Sequence, residues 1–206
     1  MKKIILLSIC STIALFSSCE KNHFEGLVIP DDAKQAYVDA SSKQEWHYFS
    51  FGQNKIVGSA AESEENNAIW KARKDWDLAI RRFEIRTNSG EFTSTGASGG
   101  VHTLDSGITF VSVTKVPKDA TFATDKTITS AGMGGTSTVI RSEATVINFK
   151  KRTDGSLVMP PVYLPAPIYI FRTADGTAHY KVQFIQYKNE KNATGHVRFI
   201  FNEISK

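Results

Sequence analysis

The sequence predicts an all-β protein of mostly antiparallel sheets with at most one or two short helices, and three observations carry that expectation. Near the C-terminus, Tyr180, Val182 and Phe184 alternate with Lys181 and Gln183, and Val197, Phe199 and Phe201 alternate with Arg198 and Asn202. Side chains on a strand point to opposite faces in turn, so this period reads as two strands with one face buried and one wet. The chain also has 14 glycines and 6 prolines beside many Thr, Val, Ile, Phe and Tyr residues, a composition of strands joined by turns. Finally, 206 residues, 41% hydrophobic and 22% charged, suit one well-cored domain. No internal repeat of the kind that builds solenoids or propellers is visible.

The first residues stand apart from this pattern. Lys2-Lys3, the apolar run from Ile4 to Phe16 and then Ser17-Ser18-Cys19 have the parts of an export signal, with a run too short to span a membrane comfortably. A cysteine directly after two serines resembles a bacterial lipobox, in which Cys19 is lipidated and becomes the first mature residue; the alternative is an ordinary secretory peptide that leaves a free cysteine. The expected organisation is a signal peptide over 1–18, a lipidated tether over 19–33, where Gly26 and Pro30 break a polar stretch, and a folded domain over 34–206. With Cys10 discarded and Cys19 capped, no thiol remains for a disulfide, a CxxC zinc site or a cysteine nucleophile. Removing Lys2 and Lys3 leaves 23 basic against 21 acidic residues, too balanced for a nucleic-acid partner.

Taken in order, Gln35 to Asp39 and Glu45 to Phe51 read as strands, the second rich in aromatics, and Lys55 to Gly58 continues across the Gly52-Gln53-Asn54 turn. Ala60 to Lys74 has helix-compatible spacing at Glu62, Glu64, Glu65 and Ala68 and no clear apolar stripe. From Asp75 to Asn88 the apolar phase runs through Trp76, Leu78 and Ile80, slips at Arg81-Arg82 and resumes at Phe83 and Ile85, which predicts one core strand kinked by a β-bulge. Val101 to Leu104 and Ile108 to Val113 read as short strands. Thr114 to Ser130 reads as a loop running into Ala131-Gly132-Met133-Gly134-Gly135, and Thr136 to Phe149 as a strand. Met159-Pro160-Pro161 must lie at an edge or in a loop, because proline donates no ladder hydrogen bond. Ile168 to Thr173, Ala178 to Tyr187 and Gly195 to Ile204 form a meander, with Asp175-Gly176 as its first turn.

Few residues carry recognisable chemistry. Gly96-Ala97-Ser98-Gly99-Gly100 has the letters of a nucleophile elbow, but a strand is expected after it where that motif needs a helix. The five histidines show no metal-binding spacing; His47 and His179 are expected at strand rims, whereas His102 follows Gly99-Gly100 and could approach a ligand. Apart from the initiator, the only methionines are Met133 and Met159. Both sit in loops flanked by glycine or proline, an unusual place for a residue that normally fills cores.

Trp76-Asp77-Leu78-Ala79, then Arg82-Phe83-Glu84-Ile85-Arg86-Thr87-Asn88-Ser89-Gly90 and the following GASGG, resemble the signature of the HmuY-like haem-binding lipoproteins of Bacteroidota. The stretch from Glu45 to Phe51 and the C-terminal run from Ile168 also resemble that family. The resemblance implies a sandwich or meander of strands, an outer-membrane, surface-exposed haemophore without catalysis, and haem b as its ligand. It implies a TonB-dependent receptor and host haemoproteins as further partners. Members hold the iron between two side chains, histidine in some and methionine in others, on two loops that precede late strands. On this chain those positions fall at Met133 and near Met159, with His102 in reserve. A rival reading is a surface lipoprotein for glycan or protein partners, with Trp46, Tyr48 and Trp70 as an aromatic platform.

Overall fold

The computed structural model describes residues 24, 26–132 and 135–206. Cys19, with the expected signal peptide and most of the tether, and Met133 lie outside the described residues. In chain order the strands are β1 (Lys34–Asp39), β2 (Glu45–Ser50) and β3 (Lys55–Ala61), followed by the helix α1 (Glu64–Lys71). Next come β4 (Leu78–Arg81), β5 (Glu84–Arg86), β6 (Gly100–Thr103), β7 (Lys126–Gly132), β8 (Gly135–Arg141), β9 (Ile147–Phe149) and β10 (Tyr163–Pro165). The meander β11 (Tyr169–Arg172), β12 (His179–Lys188) and β13 (Thr194–Ile204) closes the chain.

These strands make an all-β molecule of antiparallel sheets. One sheet has the order β1-β13-β12-β11-β6 and the other β3-β2-β4-β5, while β7–β8 and β9–β10 form separate two-stranded hairpins. The sheets pack face to face through an aromatic core. The Phe49 ring lies 5.3 Å from Phe199, and the Phe51 ring 4.8 Å from Tyr180. Leu78, Ile80, Val182 and Val197, all fully buried, fill the space around them.

The outer faces of both sheets are covered as well. Ile170, Ile185 and Ile200 are capped by Phe110 and Val113, and Lys181 Nζ is buried among them, donating to the Phe110 carbonyl at 2.9 Å. The meander is therefore partly covered on its second face as well, where its alternation suggested one wet face. On the other sheet, Trp46, Tyr48, Trp76 and Ala79 lie under α1, whose Trp70 stacks on Tyr48 at 3.7 Å. Ser63 caps α1 by accepting from the Asn66 N–H at 3.1 Å.

Four expectations change. The kinked strand over Asp75–Asn88 is a tight hairpin: Arg81 pairs with Glu84 and Ile80 with Ile85, so the slip at Arg81-Arg82 is a chain reversal, with Arg82 at φ +54°. Its guanidinium reaches back to the carbonyls of Ser41 and Thr194 at 3.0 and 2.9 Å. Phe83, placed in that turn, is half-buried, whereas Trp76 and Ile85 are fully buried as expected. Residues 110–112 form a 3-10 turn with a Thr109/Ser112 capping box, burying Phe110 and Val113 at a spacing of three and leaving Val111 exposed. The stretch expected as a loop contains β7, and the strand expected over Thr136–Phe149 is interrupted between β8 and β9.

Candidate ligand-binding site

The interruption between β8 and β9 is what sets the two hairpins in place. Across it the Ser142 N–H donates to the Ile85 carbonyl at 2.8 Å, the Val146 N–H to the Phe83 carbonyl at 2.9 Å, and Thr145 bridges to Glu84. Both hairpins thus start from a segment pinned along β5, on the edge of the four-stranded sheet. Beyond its root, where Val139 joins the core under α1, the β7–β8 ribbon is polar: its Thr and Ser side chains are exposed, and Thr129 and Thr138 join across it at 3.0 Å. Among the described residues its root is tied down, by Lys126 to Glu143 at 2.8 Å and by the Thr127 N–H to Glu91 at 2.9 Å. In sequence, Met133 follows directly on Gly132, the last residue of β7.

The β9–β10 hairpin carries the opposite surface. Leu157, Met159, Val162 and Leu164 all stand exposed over residues 157–164, Met159 to 53%. A monomeric protein seldom presents such a cluster unless something is meant to cover it. Beneath it lies a cavity of about 350 Å³ lined by Phe24, Pro161, Val162, Tyr163, Tyr187 and Lys188. Rings run from the β4–β5 turn into it: Phe83 to Phe149 at 5.2 Å, Phe149 to Tyr163 at 5.6 Å, and Tyr163 to Tyr187 at 5.1 Å. Burial pushes the Tyr187 hydroxyl up to about 12, so it stays protonated.

The remaining sequence candidates lie elsewhere. His102 is in β6 opposite Ile170, with Nδ1 3.0 Å from the Thr121 carbonyl. The bond makes Nδ1 the donor and leaves Nε2 available, but β6 belongs to neither hairpin. His179 is the first residue of β12, at the rim of its sheet as expected but buried, whereas His47 is half-buried inside β2 and is not a rim residue. Ser98 is followed by the strand β6, where a nucleophile elbow needs a helix. Its glycine loop is packed tightly: a Cβ on Gly99 would sit 1.8 Å from the Thr87 carbonyl oxygen. The aromatic platform of the rival reading is absent from the surface, since Trp46, Tyr48 and Trp70 are exposed by only 0%, 1% and 5%.

The segment from Arg86 to Gly90 proves to be structural. Arg86 is fully buried between the rings of Trp46 and Phe92, at 3.9 and 3.8 Å, and donates to Glu62 at 2.8 Å and to the Ile140 carbonyl at 2.8 Å. Burial pushes the Glu62 carboxyl up, but Arg86 and the hydrogen bonds from Asn67, Trp46 and Arg86 outweigh it and hold the group below the ordinary range. Thr87 donates through its N–H and hydroxyl to Asp125, both at 2.9 Å, and Asn88 Nδ2 donates to the Trp76 carbonyl at 2.9 Å. Composition hid this network, because its partners Glu62, Asp125 and Ile140 are distant in sequence.

The architecture is an antiparallel sandwich with two hairpins rising from one sheet edge, one of them bearing an exposed apolar cluster. The chain belongs to the HmuY family, whose sequence profile, described as HmuY protein, matches residues 42–201. Among solved structures it is similar to a lipoprotein from Bacteroides fragilis, at 20% identity and a TM-score of 0.60, covering 89% of this chain and 96% of that one. It is also similar to an HmuY-like heme binding protein from Bacteroides vulgatus, at 21% identity and a TM-score of 0.56, covering 88% and 97%. The apo HmuY analog of Tannerella forsythia matches at 20% identity and a TM-score of 0.56, covering 84% and 96%. At these identities the likeness is one of fold. No curated protein sequence matches the chain.

Proposed function

We propose that the protein is a haem carrier that takes haem b between its two hairpins, with Met133 and Met159 as axial ligands of the iron. The observation that supports this most directly is the exposed cluster of Leu157, Met159, Val162 and Leu164, which offers a thioether within an apolar surface suited to a flat macrocycle. Haem supplies an iron with two axial positions to fill. The chain supplies soft, neutral sulfur donors on arms whose roots are fixed along β5. Such donors favour ferrous over ferric iron and raise the potential. Catalysis has no part in this reading. Lipidated Cys19 holds the domain at the outer membrane, facing out, where it gathers haem from host haemoproteins and passes it to a TonB-dependent receptor.

The test is a haemin titration followed by absorbance, in air and after dithionite reduction, with wild type, Met133→Ala, Met159→Ala, the double variant and His102→Ala. Binding is expected to be tighter in the ferrous state and to weaken at least tenfold in the double variant. Unchanged ferrous spectra and affinity in the double variant would remove the methionines from the site, and loss in His102→Ala alone would move the ligand role to β6.

A further inference from the structure

A second cavity, of about 440 Å³, opens at the far end of the five-stranded sheet and is used by nothing described above. Its charged lining comes from three separate parts of the chain. Arg172 ends β11, and His179 begins β12 directly opposite it. Lys206 follows β13. Lys115 and Lys118 arrive on the loop before β7, which is zipped to that end of the chain: Lys115 bridges to Ser205, and the Val116 N–H donates to the Ser205 carbonyl at 2.9 Å.

Backbone hydrogen bonds therefore hold together cations that would otherwise repel one another. No Asp or Glu lines the cavity, and among the described residues Lys115, Lys118, Arg172 and Lys206 have no carboxylate partner. Even with the α-carboxylate of Lys206 counted against them, the four cations leave a clear positive excess. Arg172 is already positioned: Nε donates to the Ser98 carbonyl at 2.5 Å, and the guanidinium lies 4.9 Å from the centre of the Phe122 ring. His179 packs its ring 5.4 Å from the same phenyl group. Burial, then the charges of Arg172 and Lys206, lower the His179 pKa, so it faces the cavity as neutral imidazole at neutral pH.

We infer that this cavity binds a phosphate monoester, carried either on a soluble sugar or on the headgroup of a lipid. The charge excess calls for a ligand with close to two negative charges, which a phosphate monoester has at neutral pH and a single carboxylate lacks. The walls of Val116, Pro117, Ala120 and Phe122 suit the less polar body of such a ligand. The site is independent of the two hairpins, so it stands or falls separately from haem binding.

Calorimetric titration with glucose 6-phosphate and with glucose, and co-sedimentation with phosphatidylcholine vesicles with and without a phosphomonoester lipid, distinguish the two sources. The proteins compared are wild type and Lys115→Gln/Lys118→Gln, whose side chains lie on an exposed loop and whose loss spares the packed core. Saturable binding of glucose 6-phosphate or of the phosphomonoester vesicles, weakened at least tenfold in the double variant and absent with the neutral probe, is expected. Binding that survives the double substitution, or no saturable binding of either phosphorylated probe, overturns the inference.

Discussion

Single residues in this protein carry polar contacts that would be costly if left half made, and Asp125 shows it most directly. It is buried beside β5 and receives the hydrogen bonds of Thr87. Burial, stronger than those bonds and the nearby charge of Arg86, pushes its carboxyl from 3.8 up to about 7. Between those two values the unfolded chain has lost a proton that the native chain keeps, so stability falls as pH rises across the window and levels off above it. Urea unfolding of wild type and Asp125→Asn at pH 4.5, 6 and 7.5 should show wild type losing ground steadily to the variant; parallel curves would show that Asp125 ionises normally. Nothing local in the sequence marks Asp125, because its role depends on Thr87 and Ser89, far away along the chain. Met159 is the contrary case. Its proline neighbours alone put it in a loop, and the structure adds that it is exposed.

The elements divide into a packed body and two arms, and each part fails differently when altered. Trp76 is fully buried under α1, so Trp76→Ala should cost about 3–5 kcal/mol in chemical unfolding. Phe83, half-buried in the β4–β5 turn, should cost about 1–2 kcal/mol when truncated. Equal losses would contradict the hairpin. The β7–β8 ribbon makes the opposite prediction. Ile128 pairs with Val139, so residues 129–138 can be replaced by Asn-Gly to close a two-residue turn on that pair. The shortened protein should melt at nearly the wild-type temperature and lose haemin binding; a large drop in melting temperature would mean the arm supports the body. This also explains what the sequence revealed. β12 and β13 were legible from alternation and β2 from its run of aromatics, whereas β7 was not, because Ile128 is its one large apolar residue and shows no phase. At Arg81-Arg82 the phase slip was real, but a bulge and a reversal give the same slip in one dimension.

At the scale of the whole molecule, the sheets are joined by more than aromatic packing. Asp77, just before β4, accepts the Phe51 N–H at 3.0 Å and the Ala174 N–H at 2.9 Å, tying the end of β2 to the β11–β12 turn. All-β architecture was readable from composition and period. The covering of both outer faces was not, because the segments that provide it, around Phe110 and α1, carry little alternation of their own. No helix among the described residues is long and apolar enough to cross a membrane. The proposed lipid anchor makes its own prediction: in fractionated cells Cys19→Ala should move from the membrane to the soluble fraction, and a variant that stays in the membrane would refute the anchor.

The pairing of β1 with β13 has one more consequence. Lys34 sits opposite Phe201 and Asp39 opposite His196, so among the described residues the first strand pairs with the last and with no other. A chain made from its N-terminus onward presents β1 long before β13. Until then the five-stranded sheet cannot close, and contacts so distant in sequence form slowly. Closure of the five-stranded sheet thus waits for almost the whole polypeptide.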